Sequence, residues 1–288
     1  GVDVADLAAV ADLLADADRA LPVAVVDRTT APPAGSVVEP DWSLMVRLLG
    51  GVRVVDRNGE VVRFERGKAL ELVAWLATHR TRSTRAAARS ALWDLDVRDA
   101  TFANVVSDAR RALARAVAPV EGDEWIGRTL TEHLPLHVLV VSDADVLSAR
   151  LAASRGLPAS EAVAVLEPGV DLIEGLPFAG GDHLWTDAEG ITSSLIVLAT
   201  GAAAELARHH LALGDIDGVF RATGRGLAVL GGHEELIGLR MRAHAMRGNF
   251  AGVRHEWAFY ERALDADPWS SGDPSPALVS LRRELLSS

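Results

Sequence analysis

A mainly helical protein with a small β component is predicted, on three observations. Alternating apolar residues with tight-turn signals occur on both sides of a run of three short helices, within residues 44–141. From Asp143 onward the chain reads as helices only. Two stretches of that second part align at an offset of 34 residues. The order expected is a short helix-strand fragment with a linker (1–40), a three-helix unit with flanking hairpins (41–142), and an all-helical repeat unit (143–288).

In the first fragment, DVADLAAVADLLADADRAL (3–21) places Leu7, Val10, Leu14, Ala17 and Leu21 on one side of an acidic helix. Pro22 ends it, and VAVVD (23–27) reads as a buried strand. One helix and one strand cannot bury their own apolar faces, so this piece leans on a neighbour or closes an upstream domain. TTAPPAGSVVEP (29–40) reads as a linker.

The middle unit begins with LMVRLLGGVRVVDRNGEVVRF (44–64), where Arg57-Asn58-Gly59 forms a tight turn between two strand-like runs. A helix follows over 67–80, with Leu70, Val73, Ala74 and Ala77 inward. Two shorter helices come next. One spans about Thr84–Trp93; the other opens at Asp99, taken as its N-cap. Phe102, Val106, Ala109, Leu113 and Val117 form the inward stripe of the second, and Thr101, Asn104, Asp108, Arg111 and Arg115 the opposite face. After Pro119, a second hairpin is expected from Trp125–Leu130 and Leu136–Val141. Strands, three helices and a closing hairpin is the order of a winged helix, in which a polar helix face enters the DNA major groove.

In the last unit, LALGDIDGVFRATGRGLAVL (211–230) aligns with AMRGNFAGVRHEWAFYERAL (245–264), matching Gly214 to Gly248, Gly218 to Gly252 and Val219 to Val253. Thirty-four residues is the tetratricopeptide period, in which each helical hairpin buries its face only by stacking on the next. SSGDPSPA (270–277) precedes a capping helix, LVSLRRELL. The junction VVSDADVL (140–147) holds neither Gly nor Pro, so the two units should dock rigidly.

Composition restricts the chemistry. Without cysteine, disulfides and thiolate-ligated zinc are excluded, in keeping with a reducing, cytoplasmic setting. No apolar run of about 18 residues suggests a membrane span. The nine histidines lack metal-ligand spacing, and Asp215-Ile216-Asp217-Gly218 is too short for a calcium loop. Seven residues separate Gly59 from Gly67-Lys68 and Ala69 follows, so this is no phosphate loop. Neither a Gly-x-Ser-x-Gly elbow nor a dinucleotide fingerprint occurs, which leaves catalysis, metal and cofactor unsupported.

The net charge of −11 opposes nucleic acid when taken whole. Its distribution is uneven: residues 41–150 carry 16 Arg and Lys against 15 Asp and Glu, while 151–288 carry 11 against 18. Arg80, Arg82, Arg85 and Arg89 cluster in the least acidic part.

GKALELVAWLATHRTRSTRAAARSALW resembles the first two helices of OmpR-type winged-helix domains, and ALWDLDVRDATFANVVSDARRAL the turn and recognition helix of actinobacterial antibiotic-pathway regulators. Those regulators couple this domain to a helical-repeat bacterial transcriptional activator domain, which residues 143–288 resemble. The resemblance implies a transcriptional regulator that binds duplex DNA, with protein contacts through the repeats to RNA polymerase or to other parts of the full-length chain, and a loop like 172–190 packed over the first helical pair. It places Arg80, Arg82 and Arg85 at phosphates, Thr101, Asn104 and Arg111 toward the groove, and Arg128 in the wing. Two positions depart from the pattern. Asp108 stands where the family carries a basic residue, so a carboxylate on the groove face would repel phosphate, and the wing holds Glu132. The alternative is a winged helix without DNA contacts, serving with the repeats as a protein-interaction module.

Overall fold

The computed structural model describes residues 40–93, 97–128, 131–181, 183–266 and 272–287. The helix and strand expected within residues 1–39 lie outside them, as do residues 94–96 between the two shorter helices and parts of the wing and of the 270–277 loop.

A winged helix followed by helical repeats is the architecture. Strand β1 (Leu44–Arg47) pairs antiparallel with β2 (Arg53–Asp56), Leu44 opposite Asp56. Beyond β2 the Asp56 carboxylate accepts the backbone N–H groups of Asn58 and Glu60, closing the predicted turn with Gly59 at φ 84°. Helices α1 (Gly67–Thr78), α2 (Arg85–Leu92) and α3 (Asp99–Ala116) follow. Leu72, Trp75 and Leu76 of α1 pack with Phe102, Val106 and Leu113 of α3 and with Leu44 and Val46 of β1 in one core. Thr84 caps α2 by accepting the Ala87 N–H. The cap of α3 is Arg98 rather than Asp99, whose carboxylate is drawn away to Arg89 at 2.5 Å.

The second hairpin is shorter than its sequence suggests. Ile126 bridges Leu136, Gly127 N–H donates to Pro135 at 2.8 Å, and His137 N–H donates to Trp125 at 2.9 Å. The chain then leaves it, and β3 (Val140–Ser142) joins β1 in parallel, giving the order β2-β1-β3. Val140 and Val141 are buried in two different clusters, one on each side of the sheet. A strand covered on both faces belongs to a packed sheet, here as its parallel edge strand, rather than to a wing.

Ser142 and Asp145 form a capping box that turns β3 directly into α4 (Asp143–Ser154). Then come α5 (Ala159–Val170), the short α6 (Leu184–Ala188), α7 (Ile191–Ala212), α8 (Ile216–Val229), α9 (Glu234–Met246), α10 (Phe250–Ala266) and α11 (Pro276–Ser287). Helix α7 is long and apolar enough to cross a membrane. Its Ala199, Ala202, Ala203 and Ala207 are buried in the core shared with α5, α8 and α9, as a central helix of a repeat array requires.

The 34-residue repeat has a side-chain basis that the glycine alignment only hinted at. Gly214 (φ 73°) and Gly248 (φ 66°) end α7 and α9 in the left-handed conformation. Asp215 and Asn249 then cap α8 and α10 by accepting the N–H of Gly218 and Gly252 at 3.0 and 2.9 Å. His210 and His244, also 34 apart, lie where a Cβ on Gly218 or Gly252 would fall.

The junction is tied by hydrogen bonds and ion pairs as well as short in sequence. The Asp143 carboxylate, fully buried, accepts Leu48 N–H at 2.9 Å and Leu49 N–H at 3.2 Å and lies 3.2 Å from Arg47 Nε. Arg47 also reaches the Leu172 carbonyl and Glu174. Leu49, from the β1–β2 turn, sits in the core of the repeats.

The 172–190 loop corrects one expectation. Only its start, Leu172 and Ile173, packs on the first helical pair; the rest reaches the winged helix, with Phe178 and Trp185 in that unit's core. Phe178 N–H donates to Leu48 and Ala179 N–H to Gly50. Phe178 adopts φ 58°, a conformation that costs a non-glycine residue about 1 kcal/mol. Its ring meets His183 and Trp185 edge-on in return.

Candidate nucleic-acid interface

The two halves of α3 differ. In the N-terminal half Thr101, Asn104 and Ser107 are exposed along one line, while Phe102, Val105 and Val106 are buried beneath. In the C-terminal half the outward face is wired to the loop before α1. Asp108 is 9% exposed, with Arg66 Nε 3.2 Å from its Oδ2 and Arg111 donating to its Oδ1. Arg115 donates to Glu65 at 2.8 Å, and that bond holds the Glu65 carboxyl below its ordinary pKa.

This arrangement corrects the reading of Asp108 as a bare carboxylate on the groove face. Two arginines cover and neutralise it. The periodicity of α3 places position 108 next to the exposed strip, but only the loop at residues 65–66, distant in sequence, decides that it is buried.

The expected phosphate contacts scatter. Arg80 is taken up by the junction, donating to the Val140 carbonyl and lying 3.7 Å from Asp145. Its guanidinium is thus a structural tie rather than a groove-side cation. Arg82 is exposed, with no ion pair among the described residues. It stands on the rim of a groove of about 570 Å³ lined by Trp75, His79, Ala87, Leu184 and Trp185. Arg85 lies over the Phe102 ring at 5.3 Å, against the first turn of α3. Arg89 braces the α2–α3 turn through Asp99 and the Val97 carbonyl.

On the hairpin side, Arg110 donates to the Ile126 carbonyl at 2.8 Å and to that of Gly127, fastening the wing to α3. Its pKa is lowered, mainly by burial; Glu124 opposes this, and repulsion from Arg128 and Arg85 adds to it. Arg128 itself pairs with Glu124 at 2.8 Å.

Sequence reasoning passed over two cations. Arg98, exposed at the N-cap of α3, has no side-chain cap bond. Its place beside Asp99 was the available signal. Arg66 had none, because its importance lies in a contact with Asp108 across 42 positions.

Among the described residues no cluster of three or more metal-ligating side chains occurs. Comparison with protein-family models finds no match. Nor does any curated protein match by sequence. Among solved structures, Mycobacterium tuberculosis EmbR in complex with a low-affinity phosphopeptide is similar, with a TM-score of 0.61 and 18% sequence identity over 85% of this chain and 65% of EmbR. The chain thus spans just under two thirds of EmbR, and what the two share is the fold, an EmbR-like winged helix joined to helical repeats.

Proposed function

We propose that this chain is a DNA-binding transcriptional regulator. A winged-helix domain (41–142) contacts duplex DNA, and a helical-repeat domain (143–288) orients it and engages a protein partner. The observation that carries the reading is the open N-terminal half of α3, where Thr101, Asn104 and Ser107 stand exposed on a helix backed by a fully packed core. Recognition helices read base edges with their N-terminal residues. Asn104 suits an adenine, and Arg111 a guanine. Arg82, Arg85, Arg98 and Arg128 surround that strip as phosphate contacts, while Arg80 serves the junction. The likeness to EmbR supports the winged-helix and repeat architecture on which this reading rests.

Titration of the whole chain with promoter-length duplexes at two salt concentrations tests it. Each neutralised phosphate contributes about −0.9 to the log–log salt slope. Arg82→Ala with Arg85→Ala should therefore weaken binding to all sequences alike and flatten the slope by roughly one to two units. Weak binding at low salt with no response to these substitutions refutes the reading.

A second reading, a winged helix acting only in protein contacts, is favoured by one observation. Arg80, Arg89, Arg110, Arg111, Arg115 and Arg128 all have carboxylate neighbours within the chain. Each would have to exchange that partner for a phosphate, which reduces the net gain on binding.

A further inference from the structure

We propose that Asp108 is a positioning residue that holds Arg111 in the orientation needed to read a guanine, so that the chain recognises an adenine and a guanine about three base pairs apart. The inference rests on the DNA-binding reading above. A phosphate contact needs only charge, whereas a bidentate base contact needs a guanidinium whose plane is fixed before it arrives. Arg111 is 66% exposed at its side chain, and a long exposed side chain would otherwise lose its rotamer freedom on binding. Here one of its nitrogens, Nη2, is held by a carboxylate only 9% exposed. Nη2 keeps its second N–H, and with Nε or Nη1, which have no partner among the described residues, it leaves one two-donor edge of the guanidinium for a base.

Arg66 completes the geometry. Its Nε lies 3.2 Å from the other carboxylate oxygen, so that an ion pair from the loop side opposes rotation of Asp108 toward the DNA. Three charges thus sum to +1 at the middle of α3, so the buried carboxylate does not make the face repulsive. Asn104 and Arg111 are seven residues, nearly two full turns, apart and therefore on the same face. At 1.5 Å rise per residue they are separated by about 10 Å along the helix, close to three base-pair steps of about 3.4 Å each.

The experiment is selection from a randomised 20-base-pair duplex library with the full 288-residue chain, followed by sequencing, for the native protein and four variants. The native chain should enrich an adenine and a guanine about three positions apart. Asp108→Asn and Arg111→Lys should each reduce the guanine preference at least tenfold and leave the adenine in place. Asn104→Ala should do the reverse, and none of these should flatten the salt slope as Arg82→Ala does. Retained guanine preference in Asp108→Asn or in Arg111→Lys overturns the proposal while DNA binding stands. Should thermal melting show Asp108→Asn unfolded, Arg111→Lys decides alone, since its side chain is largely in solvent. Absence of any enrichment by the native chain overturns this proposal, and loss of the Arg82-dependent salt slope in addition overturns the DNA-binding reading.

Discussion

Replacing Asp143 with Ala should destabilise the protein more in mild acid than at neutral pH, the reverse of what a salt-bridge account predicts. The substitution removes the carboxylate that accepts two buried backbone N–H groups, those of Leu48 and Leu49. Each orphaned amide costs about 1–3 kcal/mol, so the gross loss is about 2–6 kcal/mol. Against this stands the cost of burying the ionised carboxylate. Burial, the largest influence, pushes the Asp143 pKa from 3.8 up to about 6, although the amides and Arg47 pull the other way. A shift of that size corresponds to about 3 kcal/mol held against the folded state once the group is ionised. The folded state binds this proton more tightly than the unfolded one. Its contribution is therefore complete below pH 3.8 and is lost as pH rises through about 6. Removing Asp143 at pH 7 also removes that cost, so the net change falls between about −1 and 3 kcal/mol; at pH 5, where about half of the cost applies, the loss is greater by about 1 kcal/mol. Arg47 is not stranded in the variant, because Glu174 and the Leu172 carbonyl still hold it. Urea unfolding of the native and Asp143→Ala proteins at pH 5 and pH 7 measures the difference. A penalty that shrinks toward acid would mean that attraction to Arg47 dominates, and the reasoning from burial would fail.

Three further outcomes are expected. Gly218→Ala and Gly252→Ala should each lower stability by about 1–3 kcal/mol, since the new Cβ overlaps the His210 or His244 ring; equal thermal denaturation of native and variant proteins would contradict this. Thr84→Ala should cost about 1 kcal/mol through loss of the α2 cap, as read by chemical denaturation. Nuclear spin relaxation should give one overall correlation time for residues 44–142 and 143–266, because the junction amides, Asp143 and the 172–190 loop bind the two parts; two distinct times would refute rigid docking.

What the sequence disclosed followed from how local each cause was. The α3 stripe, the Gly59 turn and the 34-residue repeat depend on spacing within a few turns, and all are present. The strand at Val140–Ser142 was assigned to the wrong partner, because alternation reports that a stretch is extended and says nothing of which edge it meets. Phe178 and Trp185 were visible as aromatic residues in a glycine-rich loop, yet their burial in the winged helix depends on hydrogen bonds to Leu48 and Gly50, about 130 positions earlier. Arg80 and Arg82 read alike in the sequence. Only the fold separates them, by placing the Val140 carbonyl within reach of one and leaving the other in solvent.

The same consideration governs the charge argument. A count of +1 over residues 41–150 suggests a weak nucleic-acid surface, but a count treats every guanidinium as equally available. Arg47 and Arg80 are used at the junction, Arg89 in the α2–α3 turn and Arg110 at the wing. On the acidic side, Asp143 is sealed inside and Asp108 is covered. Among the described residues, what faces outward around the N-terminal half of α3 is therefore set by a few side chains, Arg82, Arg85, Arg98 and Arg128 against Glu124 and Asp99, with the exposed Glu132, whose carbonyl accepts the Arg85 N–H, as the remaining opposing charge. Because Asp99 is already held by Arg89 and Glu124 lies between Arg110 and Arg128, neither carboxylate projects alone toward an approaching phosphate. Local pairing, rather than net charge, thus decides whether a duplex meets attraction or repulsion here, and the residues that set it are the ones whose substitution the salt titration reads.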